Sequence, residues 1–186
     1  EASTVPVSVH LDHAESTDLC REAVELGFTS IMYDGSKLPD AQNRETTAEI
    51  TAFAHKHGVS VEAELGEVGG KNGVHDPSAR TNPEDAAQFV ADTGVDLLAV
   101  AVGSSHAMAT REAVLDNQLI AAIHELVPVP LVLHGSSGVP DEGMVAAIQA
   151  GMTKINVSTH LNVVFTQGVR QILDENPKIV DPRKYV

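Results

Sequence analysis

The stretch VPVPLVLHGSSGVP, residues 127–140, passes from apolar, β-favouring side chains to His134 and then directly into glycine and serine. Such a run reads as a short buried strand with its polar residues at the carboxyl end. The pattern recurs outward along the chain. VPVSVHLDH, 5–13, ends on Asp12 and His13, and VDLLAVAVGSSH, 95–106, ends on His106. TSIMYD, 29–34, ends on Asp34, VSVEAELG, 59–66, carries Glu64, and MTKINVST, 152–159, closes on Asn156, Val157, Ser158 and Thr159. When successive strands all carry ligand-capable residues at their carboxyl ends, a parallel barrel whose loops gather them around one site accounts for the pattern. Imidazole nitrogens beside carboxylate oxygens then point to a borderline divalent metal, zinc first.

The spacing predicts strands near 5–11, 29–33, 59–64, 96–102, 129–133 and 153–157, with helical patterns between them. Strands alternating with helices read as βαβ units and a parallel sheet. Helix ends are well marked. Ser16-Thr17-Asp18 opens a segment stopped by Gly27, and Asn82-Pro83-Glu84-Asp85 opens one stopped by Gly94, with Asn82 a good N-cap and Pro83 suited to the first helical position. Further helices are expected over 38–57, 140–150 and 159–174. A (β/α)₈ barrel spends roughly 31 residues per unit, so these 186 residues correspond to about six units. The fold class is therefore α/β, a TIM (β/α)₈ barrel of which the chain carries the last six units. Residues 1–186 form one domain in this reading, and the first two strands are absent; an open doubly wound sheet is the alternative.

Composition narrows the function classes. The formal net charge is −14, which opposes nonspecific binding to nucleic acid or anionic membranes, both polyanions. No apolar stretch approaches the roughly 20 residues of a membrane span. The single cysteine, Cys20, cannot form an internal disulfide and falls in the helical pattern DLCREAVEL, where packing is the expected role. His55, His57 and His124 fall in helix tails, solvated or capping C-terminal carbonyls.

Six segments together resemble the class II, metal-dependent ketose-bisphosphate aldolases of the fructose- or tagatose-bisphosphate type: HLDHAES (10–16), IMYDGS (31–36), VEAELGEVGG (61–70), VGSSHA (102–107), LHGSSGVP (133–140) and KINVSTHLN (154–162). They occur in the family's order and cover nearly the whole chain. The resemblance implies that His13, His106 and His134 hold a catalytic zinc. It implies that Asp34 and Glu64 take a second divalent or a monovalent cation, or orient the imidazoles, and that Asp12 is the catalytic aspartate. Residues Gly135, Ser136 and Ser137, with Asn156, Val157, Ser158 and Thr159, match the loops around the dihydroxyacetone-phosphate moiety; glycines let backbone approach a phosphate there and a helix start offers N–H groups. Lys154 and Arg183 are candidate added positive charges or, equally, surface residues. The implied protein is a cytoplasmic homodimer or homotetramer acting on phosphorylated ketoses, with no nucleic-acid or membrane partner.

Two departures stand out. Ala107 follows His106 where the family usually has a glycine near the bound phosphate. The family's mobile loop usually runs from a double glycine into acids, one of which transfers a proton at the ketose carbon; this chain has Gly69-Gly70-Lys71-Asn72-Gly73-Val74-His75-Asp76. Glu67, His75 or Asp76 then substitutes, or the substrate or activity differs. The expected activity is reversible cleavage of a ketose 1,6-bisphosphate to dihydroxyacetone phosphate and an aldehyde such as glyceraldehyde 3-phosphate. A zinc-dependent barrel hydrolase and a non-catalytic aldolase-like partner subunit are the alternatives.

Overall fold

A computed structural model describes residues 3–66, 80–106, 108 and 110–186. Strands and helices alternate: β1 (His10–Ala14), α1 (Thr17–Glu25), β2 (Ser30–Tyr33), α2 (Asp40–Lys56), β3 (Ser60–Glu64), α3 (Pro83–Thr93), β4 (Leu97–Ala99), α4 (Asn117–Leu126), β5 (Leu131–Leu133), α5 (Asp141–Ala150), β6 (Met152–Ile155) and α6 (Thr159–Glu175). The strands pair in parallel and in chain order, β1 to β6. This is the α/β arrangement that the alternating pattern predicts, and it excludes the reordered strands of a doubly wound sheet.

Side-chain caps set three of the six helix starts. Ser16 accepts from the Leu19 N–H, Asn82 from the Asp85 N–H, and Asp116 from the Leu119 N–H, each satisfying an end group that the helix itself cannot. Gly94, at φ 68°, ends α3 in the left-handed conformation. Of the helix-tail histidines, His57 Nδ1 reaches the Phe53 carbonyl, whereas His55 Nε2 pairs with Asp96 at 2.9 Å.

The strand bounds differ most from the sequence reading at β1 and β4. β1 begins at His10 rather than residue 5, because His10 already stands opposite Ser30, the first residue of β2, and Val5 and Val7 run past it with 63% and 71% exposure. β4 stops at Ala99 because Ala101 turns its hydrogen bonds to Thr81: the Ala101 N–H donates to Thr81 Oγ1 and the Thr81 N–H to the Ala101 carbonyl.

Side chains alternate across the sheet and make two apolar layers. On the outer face Ile31, Val61, Leu98, Leu131 and Leu133 pack with Cys20, Ile50, Phe89, Ile120 and Ile123 of the helices. On the inner face Met32, Ala99 and Val132 form a separate, smaller cluster. The sheet is strongly rolled. In a flat sheet the outermost strands β1 and β6 would stand about 24 Å apart, five spacings of roughly 4.8 Å. Yet Asn156, just beyond β6, brings its Nδ2 to 3.4 Å from Asp12 Oδ1 on β1, and Lys154 of β6 meets Glu62 of β3 at 2.7 Å. Six parallel strands thus curl into a half-barrel with helices outside and charged side chains across the inside.

Candidate metal centre and phosphate loops

Strict alternation would send neighbours Asp12 and His13 to opposite faces of β1. Both line one cavity of about 610 Å³. The backbone explains how. Leu11 pairs with Ile31 but Ala14 with Tyr33, so β1 holds one residue more than β2 between these points, and His13 takes φ 50°. This is a β-bulge with a left-handed residue, a conformation that costs a side-chain-bearing residue of the order of 1–3 kcal/mol. No other described non-glycine residue has positive φ. The extra residue turns His13 inward beside Asp12.

His106 and His134 reach the same point from the loops after β4 and β5. Ring centroids lie 5.1 Å apart for His13 and His106, 4.5 Å for His13 and His134, and 5.5 Å for His106 and His134. One nitrogen from each ring falls within 4.8 Å of the others. Three nitrogens around a tetrahedral zinc stand about 3.4 Å apart, given Zn–N bonds near 2.05 Å, so a small inward closure suits the donor set to that ion. His134 is buried, and its Nδ1 has no hydrogen-bond partner among the described residues. A buried, acceptor-capable nitrogen on one of three clustered imidazoles is the feature a metal would satisfy.

Carboxylates hold the far sides of two rings. His13 Nδ1 lies 2.8 Å from Asp34 Oδ2, while Asp34 Oδ1 accepts from the Ser36 N–H and hydroxyl. His134 Nε2 lies 2.8 Å from Glu62 Oε1. Donation to a carboxylate fixes ring orientation and tautomer, the usual outer-shell device around metal-facing imidazoles. Glu64 is fully buried, and a Glu64 oxygen, an Asp34 oxygen and a His13 nitrogen form a second group within 4.8 Å.

The glycine-serine turn and the start of α6 build the adjoining wall. Gly135 sits at φ 66°, and a Cβ there would come 2.5 Å from the Ser105 carbonyl oxygen, so only glycine lets this loop lie against the one bearing His106. Ser137 Oγ accepts from the His160 N–H at 3.1 Å and the Ser158 N–H at 3.4 Å, joining the turn to the first residues of α6. Gly135, Ser137, Asn156, Val157, Ser158 and Thr159 line the cavity. Ser136 does not; it is buried and donates to the Asn156 carbonyl, tying the two loops together. Of the two candidate charges Arg183 is the surface residue: its guanidinium pairs with Asp181 near the chain end, away from the cavity lining. Ala107, Glu67, Lys71, Asn72, His75 and Asp76 lie outside the described residues.

Two further residues reach the site that the sequence reading gave no catalytic or binding role. Glu62 carries the His134 contact and an ion pair with Lys154, whose Nζ also donates to Asn156 Oδ1 at 2.8 Å. Burial pushes the Glu62 carboxyl up, but the His134 hydrogen bond and the Lys154 charge together hold it below the ordinary carboxylate range. His10 lines the cavity with Nδ1 2.8 Å from Ser30 Oγ, and burial with help from Lys154 lowers its pKa against the opposing pull of Glu62 and Asp12. The available signal was period two: His10 and Asp12, Glu62 and Glu64, Lys154 and Asn156 are inward pairs on their strands.

The profile of the family described as Fructose-bisphosphate aldolase class-II matches residues 1–186. The chain is 42% identical over 185 residues to a fructose-bisphosphate aldolase of Geobacillus stearothermophilus, an alignment covering 98% of this chain and 64% of that protein. Among solved structures, the YdjI aldolase of Escherichia coli K12 superposes with a TM-score of 0.77 at 35% identity, covering 97% of this chain and 61% of that one. A Coccidioides immitis protein assigned as a fructose-1,6-bisphosphate aldolase gives 0.83 at 34% identity, covering 98% and 66%. The chain thus spans just under two thirds of the length of the Geobacillus and Escherichia proteins.

Proposed function

Because the chain belongs to the class-II fructose-bisphosphate aldolase family, we propose that it forms the metal-binding and phosphate-binding part of a (β/α)₈-barrel aldolase, a carbon-carbon lyase. The reaction is reversible cleavage of a ketose 1,6-bisphosphate, of fructose or tagatose configuration, to dihydroxyacetone phosphate and glyceraldehyde 3-phosphate. The observation that carries this reading is the bulge at His13. It sets a carboxylate and a potential metal ligand side by side, facing His106, His134 and the Gly135–Ser137 turn.

His13, His106 and His134 would hold zinc, which supplies Lewis-acid charge for the oxygens beside the bond that breaks. Asp34 orients His13 and, with Glu64, supplies the oxygens for a second cation. The phosphate of the dihydroxyacetone half is bound by backbone N–H groups of Gly135–Ser137 and Asn156–Thr159, where a helix start favours an anion. Asp12 takes the C4 hydroxyl proton as the C3–C4 bond breaks, and its electron pair passes to C3, conjugated with the C2 carbonyl. Asn156 holds Asp12 by donating to its Oδ1. A proton then goes to C3 from Glu67, His75 or Asp76 of the 66–82 loop. Lys154 is engaged by Glu62 and Asn156, in keeping with a route that needs no lysine Schiff base.

The full-length protein, assembled as a homodimer or homotetramer in the cytoplasm, is the form to assay. It is expected to release triose phosphate only with zinc present, to lose this with a chelator and to regain it on zinc addition. Chelator-resistant cleavage overturns the metal reading. Solvent exchange of the dihydroxyacetone-phosphate C3 proton isolates the loop's half-reaction, and undiminished exchange in Glu67→Ala, His75→Ala and Asp76→Ala alike removes the loop from it.

A further inference from the structure

The inner face of the half-barrel carries an ion pair, buried at its carboxylate and partly exposed at its lysine, that none of the site's binding steps uses. Glu62 on β3 is fully buried, and Lys154 on β6 reaches its Oε2 at 2.7 Å across the rolled sheet. The other carboxylate oxygen, Oε1, faces His134 Nε2 at 2.8 Å. The ionised carboxylate only accepts, so the proton of a neutral His134 must sit on Nε2. The lone pair is then on Nδ1, the atom that is buried without a hydrogen-bond partner among the described residues, in a ring packed beside those of His13 and His106.

The same logic orients Asn156. Lysine only donates, so the Asn156 atom 2.8 Å from Lys154 Nζ is its Oδ1, which turns Nδ2 toward the other side. There Nδ2 stands 3.3 Å from His134 Nε2, a donor facing a donor, and its N–H goes instead to Asp12 Oδ1 at 3.4 Å. One chain of fixed donors and acceptors therefore runs His134, Glu62, Lys154, Asn156, Asp12, linking strands β1, β3 and β6 with the loop after β5.

We propose that Glu62 and Lys154 are positioning residues: the pair fixes the His134 tautomer that presents Nδ1 to a metal and, through Asn156, aims the Asp12 carboxylate. Neither touches the reacting atoms. A buried ion pair is in general weak evidence for stability, because desolvation offsets most of the attraction; its use here is to leave only one consistent set of proton positions. The inference rests on the reading of His134 as a metal-facing residue, and the tests separate the two.

The first test needs no substitution. In the metal-free full-length protein, long-range ¹H–¹⁵N spectra of the histidine rings should show His134 as the Nε2–H tautomer at neutral pH; an Nδ1–H ring overturns the proposal whether or not zinc binds. The second uses Glu62→Met/Lys154→Met, which replaces the pair by apolar side chains, a change that folding commonly tolerates. Chelator competition should then show zinc affinity reduced by about 10–100-fold, the usual cost of losing an outer-shell partner, with a melting temperature near the parent's. Glu62→Gln, which keeps the shape and removes the charge, should fall between the two. Unchanged zinc affinity in both folded variants overturns the positioning role and leaves the metal reading standing. A parent protein that binds no zinc overturns the metal reading itself, and the positioning role with it.

Discussion

The two faces of the same six strands are built on opposite terms. On the outer face, Ile31, Val61, Leu98, Leu131 and Leu133 meet apolar helix residues in one continuous core, and their contacts are interchangeable in kind. On the inner face Met32, Ala99 and Val132, with Leu97 against them, form a small apolar floor, and above it stand Glu62, Lys154, His134, His13 and Asp12, each with named partners. Apolar packing is non-directional and tolerates volume-conserving exchange, whereas a buried polar network must satisfy every donor and acceptor. Stability should therefore reside on the outside and chemistry on the inside, and substitutions can break or sharpen that division.

The sharpest is His134→Ala. It is expected to abolish metal-dependent turnover while the circular dichroism of the fold persists, because Lys154 still balances Glu62. Turnover close to the parent's, measured with zinc at saturation, would erase the division altogether. Asp12→Ala should lower turnover by roughly 10²–10⁴, the range for losing a general acid–base group, with zinc content unchanged. If turnover is nearly normal, Asp12 serves only as a partner for Asn156.

On the outer face the expected effect moves to stability. Phe89 is fully buried in α3, and Phe89→Ala should destabilise by about 3–5 kcal/mol in denaturant unfolding, without altering zinc stoichiometry in the folded protein. A variant that keeps its stability but loses zinc would show the two faces to be coupled.

The smallest effect concerns Cys20, buried under α1, whose thiol is pushed up to about 11 by desolvation, partly offset by Arg21. A raised thiol pKa favours the neutral folded form, so its contribution is complete below the unfolded value of 9.0 and is lost as pH climbs from there through about 11. Parent protein should lose stability over that window more steeply than Cys20→Ala, and native Cys20 should resist alkylation at pH 8. Rapid labelling under native conditions would show that the outer core opens at this point.

Reading the chain without coordinates located the strands and most helix ends, because those signals are local: apolar runs closing on polar residues, Ser16 and Asn82 before helices, Gly94 after one. The same local reading found the three histidines, since each ends a strand run. It gave α4 no bounds, although Asp116 caps it, because that helix follows the long segment after β4 and lacks a closing glycine. It carried β1 back to residue 5, since the alternating valines look like strand whether or not a partner strand lies beside them.

What the sequence determined by itself was the alternation of six strands with helices and the residue types offered at their carboxyl ends, because strand periodicity and capping act over a few residues. Only the tertiary structure decided which of those residues face one another. Rolling the sheet brings Lys154 to Glu62, 92 positions away, and Asn156 to Asp12, 144 positions away. The extra residue at His13 then turns two neighbours to the same side. Curvature and register are settled by the packing of all the strands and helices together, and no local stretch of chain encodes them.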